Sequence, residues 1–105
     1  MNLFSIIVVS YNTKKKLIKT LNSIKKQTYN NYEIVIIDGL STDGTINFAK
    51  KNRNKKIKFF TEKDNGIYDA MNKGIKKANG QWTLFLNSGD IFVDQNILTN
   101  VNAII

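Results

Sequence analysis

The chain has no cysteine and no histidine, and only one of its 16 basic residues, Arg53, is an arginine. Without cysteine there is no disulfide frame and no thiolate metal site, so a reducing compartment such as the cytoplasm is the natural setting. Without histidine the usual general base and the usual zinc ligand are both missing. The chemistry has to come from carboxylates, amides, hydroxyls, lysine and backbone groups. The scarcity of arginine argues against a reader of nucleic acid, which leans on bidentate guanidinium contacts. No apolar run reaches the roughly 18 residues of a membrane span. Residues 5–11 are too short for one, and Met1-Asn2-Leu3 lacks the basic start of a signal peptide. Neither a Walker loop nor G-x-G-x-x-G occurs, and the loop after the first strand-like run, Ser10-Tyr11-Asn12, holds no glycine. That argues against a nicotinamide site and an ATP-hydrolysing site.

What the chain does contain is enough for one domain or part of one. It has 105 residues, and 42% of them are hydrophobic, sufficient for a core. The net charge of +8 comes from lysines scattered at 14–16, 25–26, 50–58 and 76–77. Asparagine and isoleucine are also abundant, so biased base composition in the source genome accounts for the lysines. The alternative is a phosphate-rich ligand or an anionic membrane surface. The eight acids are more informative. Glu33 starts a strand-like run and Asp94 lies near the end, but Asp38, Asp43, Glu62, Asp64, Asp69 and Asp90 cluster just after strand-like runs.

Residues 4–9 and 32–37 are near-continuous apolar runs, as in strands buried on both faces of a parallel sheet. Residues 57–61 and 82–86 predict two more strands. Between them the spacing of Leu17, Ile18, Leu21 and Ile24 predicts a helix over 14–27, with Asn12 or Thr13 as its cap. A second helix is expected over 45–52, and Asp43 is placed to cap it. Residues 94–105 carry apolar positions at roughly helical spacing. Strands alternating with helices predict a Rossmann-like, mostly parallel α/β sheet of order 3-2-1-4 with helices on both faces. The chain then reverses direction between strands one and four, and ligands bind outside the strand ends at such a point. The fourth strand is left as an open edge, and the apolar tail at 101–105 calls for a cover: more chain, or a second copy.

The organising stretch is Asp64-Asn65-Gly66-Ile67-Tyr68-Asp69-Ala70-Met71-Asn72-Lys73-Gly74. Asp64 is placed to cap a helix whose stripe is Ile67, Ala70, Met71, Gly74, Ile75 and Ala78, with Asn79-Gly80 as its left-handed stop. Tyr68, Asp69 and Asn72 fall on the other faces, as either a solvated surface or a ligand-facing one. Asn87-Ser88-Gly89-Asp90 is read either as an ordinary turn or, with Asp38 nearby, as a hard-metal and nucleotide site.

Four segments together are specific. Ser5-Ile6-Ile7-Val8-Val9-Ser10-Tyr11-Asn12, Asp38-Gly39-Leu40-Ser41-Thr42-Asp43-Gly44-Thr45, the stretch from Asp64 to Gly74, and Phe85-Leu86-Asn87-Ser88-Gly89-Asp90 resemble, in order and spacing, family 2 glycosyltransferases of the GT-A fold. The resemblance covers nearly the whole chain. It implies the N-terminal, donor-binding part of an inverting enzyme that takes a nucleotide-diphosphate sugar and delivers it to a saccharide or lipid-linked acceptor, in surface polysaccharide synthesis. By the same resemblance Ser10, Tyr11 and Asn12 line the base and ribose pocket, and Asp38 hydrogen-bonds the base or ribose. Asp64 and Asp69 lie in the segment that closes over the nucleotide. Asn87, Ser88 and Gly89 stand at the family's Asp-x-Asp, with Asp90 and Asn87 left to hold a divalent cation, Mn or Mg. Gly89 at the usual metal-binding acid is a departure. The general base is expected beyond Ile105. The setting implied is cytoplasmic, including the cytoplasmic face of the membrane by peripheral association, with a homo-oligomer as one way to cover the apolar end. The competing readings are a noncatalytic nucleotide-binding fragment and a basic polyanion-binding α/β protein.

Overall fold

A computed structural model describes residues 3–105; the reading made at Met1 and Asn2 lies outside the described residues. The elements run β1 (Phe4–Ser10), α1 (Lys14–Lys25), β2 (Tyr32–Asp38), α2 (Thr45–Asn52), β3 (Ile57–Thr61), α3 (Ile67–Lys77), β4 (Trp82–Asn87) and α4 (Ile97–Ile104). The four strands form one parallel sheet in the order β3-β2-β1-β4, as the alternation of strands and helices predicts. β1 pairs on both sides, with Phe4 opposite Tyr32 and Trp82 and Val9 opposite Ile37 and Asn87.

The two faces of the sheet are covered unequally. Phe4, Ile6 and Val8 of β1 point into the larger core with Leu17, Leu21 and Ile24 of α1, Ala49 of α2 and Leu98 of α4. Ile7 points the other way, with Val35, Ile37 and Ala70 of α3. This partition follows from topology. The chain steps from β1 to β2 to β3 in one direction and returns to β4 in the other, so a constant crossover hand puts α3 on the opposite face from α1 and α2. β1 and β2 are buried almost throughout, which is why their sequences do not alternate. β4 is the sheet edge and is half-exposed along its length.

Several ends differ from the periodicity. α1 stops at Lys25 because Gln27 leaves the helical line and turns inward. Its side chain donates to Asp94 O (2.6 Å) and accepts from Leu98 N (3.0 Å), anchoring the start of α4. Thr13 is the residue before α1, but its side chain makes no capping bond. Asp64 does not cap α3. Gly66 holds that place, at φ +108°, and Asp64 only accepts from Gly66 N (3.2 Å). Asn79-Gly80 is no left-handed stop either, since α3 ends into extended backbone at Ala78. Gly80 is small for another reason: a Cβ there would come within 2.7 Å of Ser5 N and 2.9 Å of Leu3 O. Asp43 is not the residue before α2, since Gly44 holds that place at φ +93°; Asp43 instead accepts from Thr45 N (3.2 Å) and Lys14 N (3.0 Å), the first helical N–H groups of α2 and α1. At the far end Ile104 and Ile105 are exposed, while Leu98 is buried.

The end of the sheet opposite the functional crevice is latched by Glu33. Its carboxylate accepts from the Ser5 hydroxyl and from Asn79 N (2.6 Å), and pairs with Lys58 (2.7 Å); Ser5 Oγ accepts in turn from Gly80 N (2.7 Å). Burial works to raise the Glu33 pKa, but the bonds from Lys58, Ser5 and Asn79 outweigh it and hold the carboxyl below its ordinary value. A lowered native pKa means that the ionised form stabilises the fold above the unfolded pKa of about 4.3, and that this is lost as pH falls through the native value. Glu33→Gln is expected to lose about 1–3 kcal/mol at pH 7, with the gap to the parent narrowing below about pH 4 in urea denaturation. Separately, a Cβ at Gly74 would lie 2.4 Å from Ile7 Cγ2, so α3 sits on β1 with no room for a methyl group. Gly74→Ala should destabilise by about 1–2 kcal/mol, overpacking outweighing the better helix propensity, measured by the same denaturation curves.

Candidate functional site

The C-terminal ends of β1 and β4 and the start of α3 enclose a 330 Å³ cavity. Val9, Ser10, Tyr11 and Thr13 come from β1 and its loop, Asn87 and Ser88 from the end of β4, and Asp64, Gly66, Ile67 and Ala70 from the α3 side. This is the switch point, where neighbouring strands send their chains to opposite faces and leave a gap between the loops. Tyr11 is 62% exposed at its mouth, a free aromatic face. Ser88 is fixed on Val9 O through both its N–H (3.1 Å) and its hydroxyl (3.0 Å).

Asp38 does not reach the cavity. It is fully buried, and its carboxylate accepts from Ser41 N (2.9 Å), the Ser41 hydroxyl and the Thr61 hydroxyl (2.8 Å). Asp38 braces the loop after β2, between Ser41 and Thr61. Ser41 Oγ also accepts from Asn12 N (2.8 Å), and Asn12 Oδ1 accepts from Thr42 N (2.7 Å). Asn12 is thus turned toward that loop and lines a neighbouring cavity with Thr13, three lysines and Asp43, rather than the pocket of Tyr11. Its left-handed φ of +51° is one that asparagine tolerates. Leu40, at φ +66°, does not tolerate it so easily, and the strain of about 1–3 kcal/mol is held by the bonds that close Ser41 back onto Asp38 across it.

The acid that does enter is Asp64. Gly39 leaves it room: a Cβ on residue 39 would lie 2.8 Å from Asp64 Oδ2 and 3.3 Å from Tyr11 Cδ1. Asp69 is turned to its own helix, accepting from Asn65 N (2.9 Å) and pairing with Lys73 (3.2 Å). The Asn65 N–H first, and Lys73 next, hold its carboxyl below the ordinary aspartate value. Asp90 lies at the outer edge of the same strand end, and its Oδ2 accepts from Asn87 N (2.8 Å) within the turn. Ser10, Tyr11, Asp64, Asn87 and Ser88 of the expected residues thus line one cavity, and Asn12, Asp38, Asp69 and Asp90 stand around it. Thr13, Ile67 and Ala70 are additions. Ile67 and Ala70 belong to the apolar stripe of α3, whose pattern is the same whether it faces core or crevice.

Mn and Mg take about six oxygen ligands and favour carboxylates. The turn offers one carboxylate, Asp90, already bonded to Asn87 N, and one amide, Asn87; Gly89 offers no side chain. Among the described residues no group of three or more acidic ligands comes together. This donor set does not fit a divalent cation gripped by the chain.

Residues 5–104 match the profile of glycosyl transferase family 2. The chain belongs to that family. The PGL/p-HBAD biosynthesis glycosyltransferase of Mycobacterium tuberculosis is 38% identical over 106 residues, 98% of this chain and 41% of that protein. The poly(ribitol-phosphate) β-N-acetylglucosaminyltransferase TarS of Staphylococcus aureus is 34% identical over 107 residues, 97% of this chain and 18% of that protein. The chain therefore spans less than half the length of these relatives. The crystal structure of S. aureus TarS 1–349 in complex with UDP-GlcNAc superposes with a TM-score of 0.86 at 33% identity, over 98% of this chain and 30% of that one. The mannosyltransferase PcManGT of Pyrobaculum calidifontis, in complex with GDP-Man and Mn2+, shares the fold at a TM-score of 0.82 and 24% identity, over 94% of this chain and 31% of that one. The GT-A-type α/β arrangement expected from the four segments is borne out.

Asp38 and Asp64 are separable by experiment. Asp38→Ala strands three buried donors and is expected to destabilise by about 3 kcal/mol or more in urea. Asp64→Ala, at a half-exposed position, should change stability by less than about 1 kcal/mol while weakening nucleotide binding in calorimetry.

Proposed function

We propose that the chain is the donor-binding part of an inverting glycosyltransferase that takes a nucleotide-diphosphate sugar. The observation that carries this is the convergence of Tyr11, Asp64, Asn87 and Ser88, far apart in sequence, on one cavity at the switch point. The base stacks on the exposed Tyr11 ring. Asp64, an acceptor only when ionised, takes hydrogen bonds from the nucleoside. The diphosphate lies over the Asn87–Ser88 strand end, beside the positive N-terminal end of α3. The acceptor hydroxyl attacks the anomeric carbon, the bond from that carbon to the diphosphate oxygen breaks, and nucleoside diphosphate departs with the electron pair. The acceptor's proton goes to a general base, a carboxylate by the family resemblance. The acceptor is a saccharide or lipid-linked hydroxyl of a surface polysaccharide.

A second reading, nucleotide binding without transfer, is favoured by one observation: Asp64 is the one acid lining the crevice among the described residues, and it stands against Tyr11 on the nucleoside side. Titration of the chain with uridine, guanosine and thymidine diphosphates, with and without Mn, is expected to give saturable heat for at least one. Tyr11→Ala should weaken that binding about tenfold or more. Absence of saturable heat for all three overturns the donor reading. Binding without sugar transfer to any acceptor selects the second reading.

A further inference from the structure

The crevice that holds the donor in the reading above has no cationic side chain of its own. Its lining is Val9, Ser10, Tyr11, Thr13, Asp64, Gly66, Ile67, Ala70, Asn87 and Ser88. A diphosphate carries more than one negative charge and needs a counter-charge once it leaves water. The turn at the end of β4 shows where that charge comes from.

Gly89 adopts φ +103°, a conformation that disfavours a side chain, and a Cβ built on it would meet Lys16 Cδ at 3.3 Å, Cβ at 3.5 Å and Cγ at 3.6 Å. The stem of Lys16 therefore packs directly beside the residue that stands at the family's metal-binding acid. The contact is fixed from both sides. Thr20, one turn further along α1, donates to Asp90 O (2.8 Å) and accepts from Gly89 N (2.8 Å), so the turn is bolted to the helix that carries Lys16. Lys14, Lys15 and Lys16 line a 540 Å³ cavity, and Thr13 lines both this cavity and the crevice, so the two adjoin. The cation on the other side, Lys73, is already engaged with Glu62 (3.4 Å), Asp69 (3.2 Å) and Lys63 O (2.6 Å). Lys16 makes no ion pair among the described residues.

We infer that Lys16 is the diphosphate-binding cation of this chain, an ammonium held against the Asn87–Asp90 turn where a protein-gripped divalent cation does not fit. Nucleoside diphosphate binding is then independent of metal and dependent on Lys16. The inference rests on the donor reading above, and the experiment separates the two.

Calorimetric titration of the 105-residue chain uses whichever of uridine, guanosine or thymidine diphosphate binds most tightly, and the matching nucleoside, each in EDTA and in Mn. Lys16→Met keeps the apolar stem against Gly89 and removes only the charge; Lys16→Arg keeps the charge. In the parent, EDTA should change the diphosphate Kd by less than about threefold, within the scatter of a weak contact. Lys16→Met should weaken the diphosphate about tenfold or more and leave the nucleoside unchanged, as loss of one charge-assisted contact requires. Lys16→Arg should restore the diphosphate to within about threefold of the parent. The inference is overturned if diphosphate binding needs Mn, if Lys16→Met leaves it unchanged, or if that variant weakens nucleoside and diphosphate alike. If the parent binds no nucleoside diphosphate in either condition, the donor reading falls and this inference with it.

Discussion

A fully buried carboxylate holds the crevice together. Asp38 ends β2 inside the protein, where an ionised group survives only if its lone pairs are filled. Ser41 and Thr61 fill them, and in doing so Ser41 is set at the height of the neighbouring loop, where its hydroxyl takes the N–H of Asn12. Asn12 answers by accepting from Thr42 N, and the next residue, Asp43, takes the first N–H groups of both α1 and α2. The loops after β1 and β2 are thereby tied to each other rather than left to solvent. Tyr11, largely exposed, is positioned by its neighbours Ser10 and Asn12, which are held, and by the close approach of Gly39. A preorganised aromatic face binds with less ordering entropy than a free one, so the stability of a buried acid becomes affinity at an exposed ring.

The sheet separates this work from the work of holding its own far end. There, the Glu33 carboxylate, the Ser5 hydroxyl and the N–H groups of Asn79 and Gly80 join β2, β1 and the approach to β4. Both ends use an acid on β2, five residues apart, but the environments divide their roles. Glu33, buried, meets a lysine; Asp38, sealed, meets only neutral donors. The first is a latch whose strength follows pH. The second supports the loop after β2.

The order and most limits of the elements were legible because β1 and β2 are apolar on both faces and the helices between them carry clean stripes. What could not be read was direction at the loops. Asp38 and Asp64 both follow strands and both look available for a ligand in one dimension. Only the fold reveals that the first lies under Ser41 and that the second fills the space left by the missing side chain of Gly39. At Asp90, turn formation and metal binding favour the same residue at the same place, so the sequence alone leaves both readings open. Asn79-Gly80 carried the composition of a helix stop, yet Gly80 is there because β1 passes too close for a side chain. Helix capping was misjudged at Asp64 for a related reason: one bond to Gly66 N is a local turn, and the glycine's positive φ, not the acid, turns the chain into α3. In each case the residue type was right for a turn, and tertiary contact decided which turn.

The turn that closes β4 links the last two of these observations. Its backbone is set by Asp90 N on Asn87 O (2.9 Å), by Asp90 Oδ2 on Asn87 N and by Thr20 at both Gly89 and Asp90. Those bonds hold residue 89 in left-handed backbone, where an aspartate would be strained. The stem of Lys16 packs beside it. The turn thus carries no carboxylate at 89 and has a lysine from the start of α1 against it. The acid-poor crevice, the glycine and the lysine-rich start of α1 are then parts of one arrangement. The overall charge of +8 reinforces it by raising the potential that an anionic donor meets as it approaches.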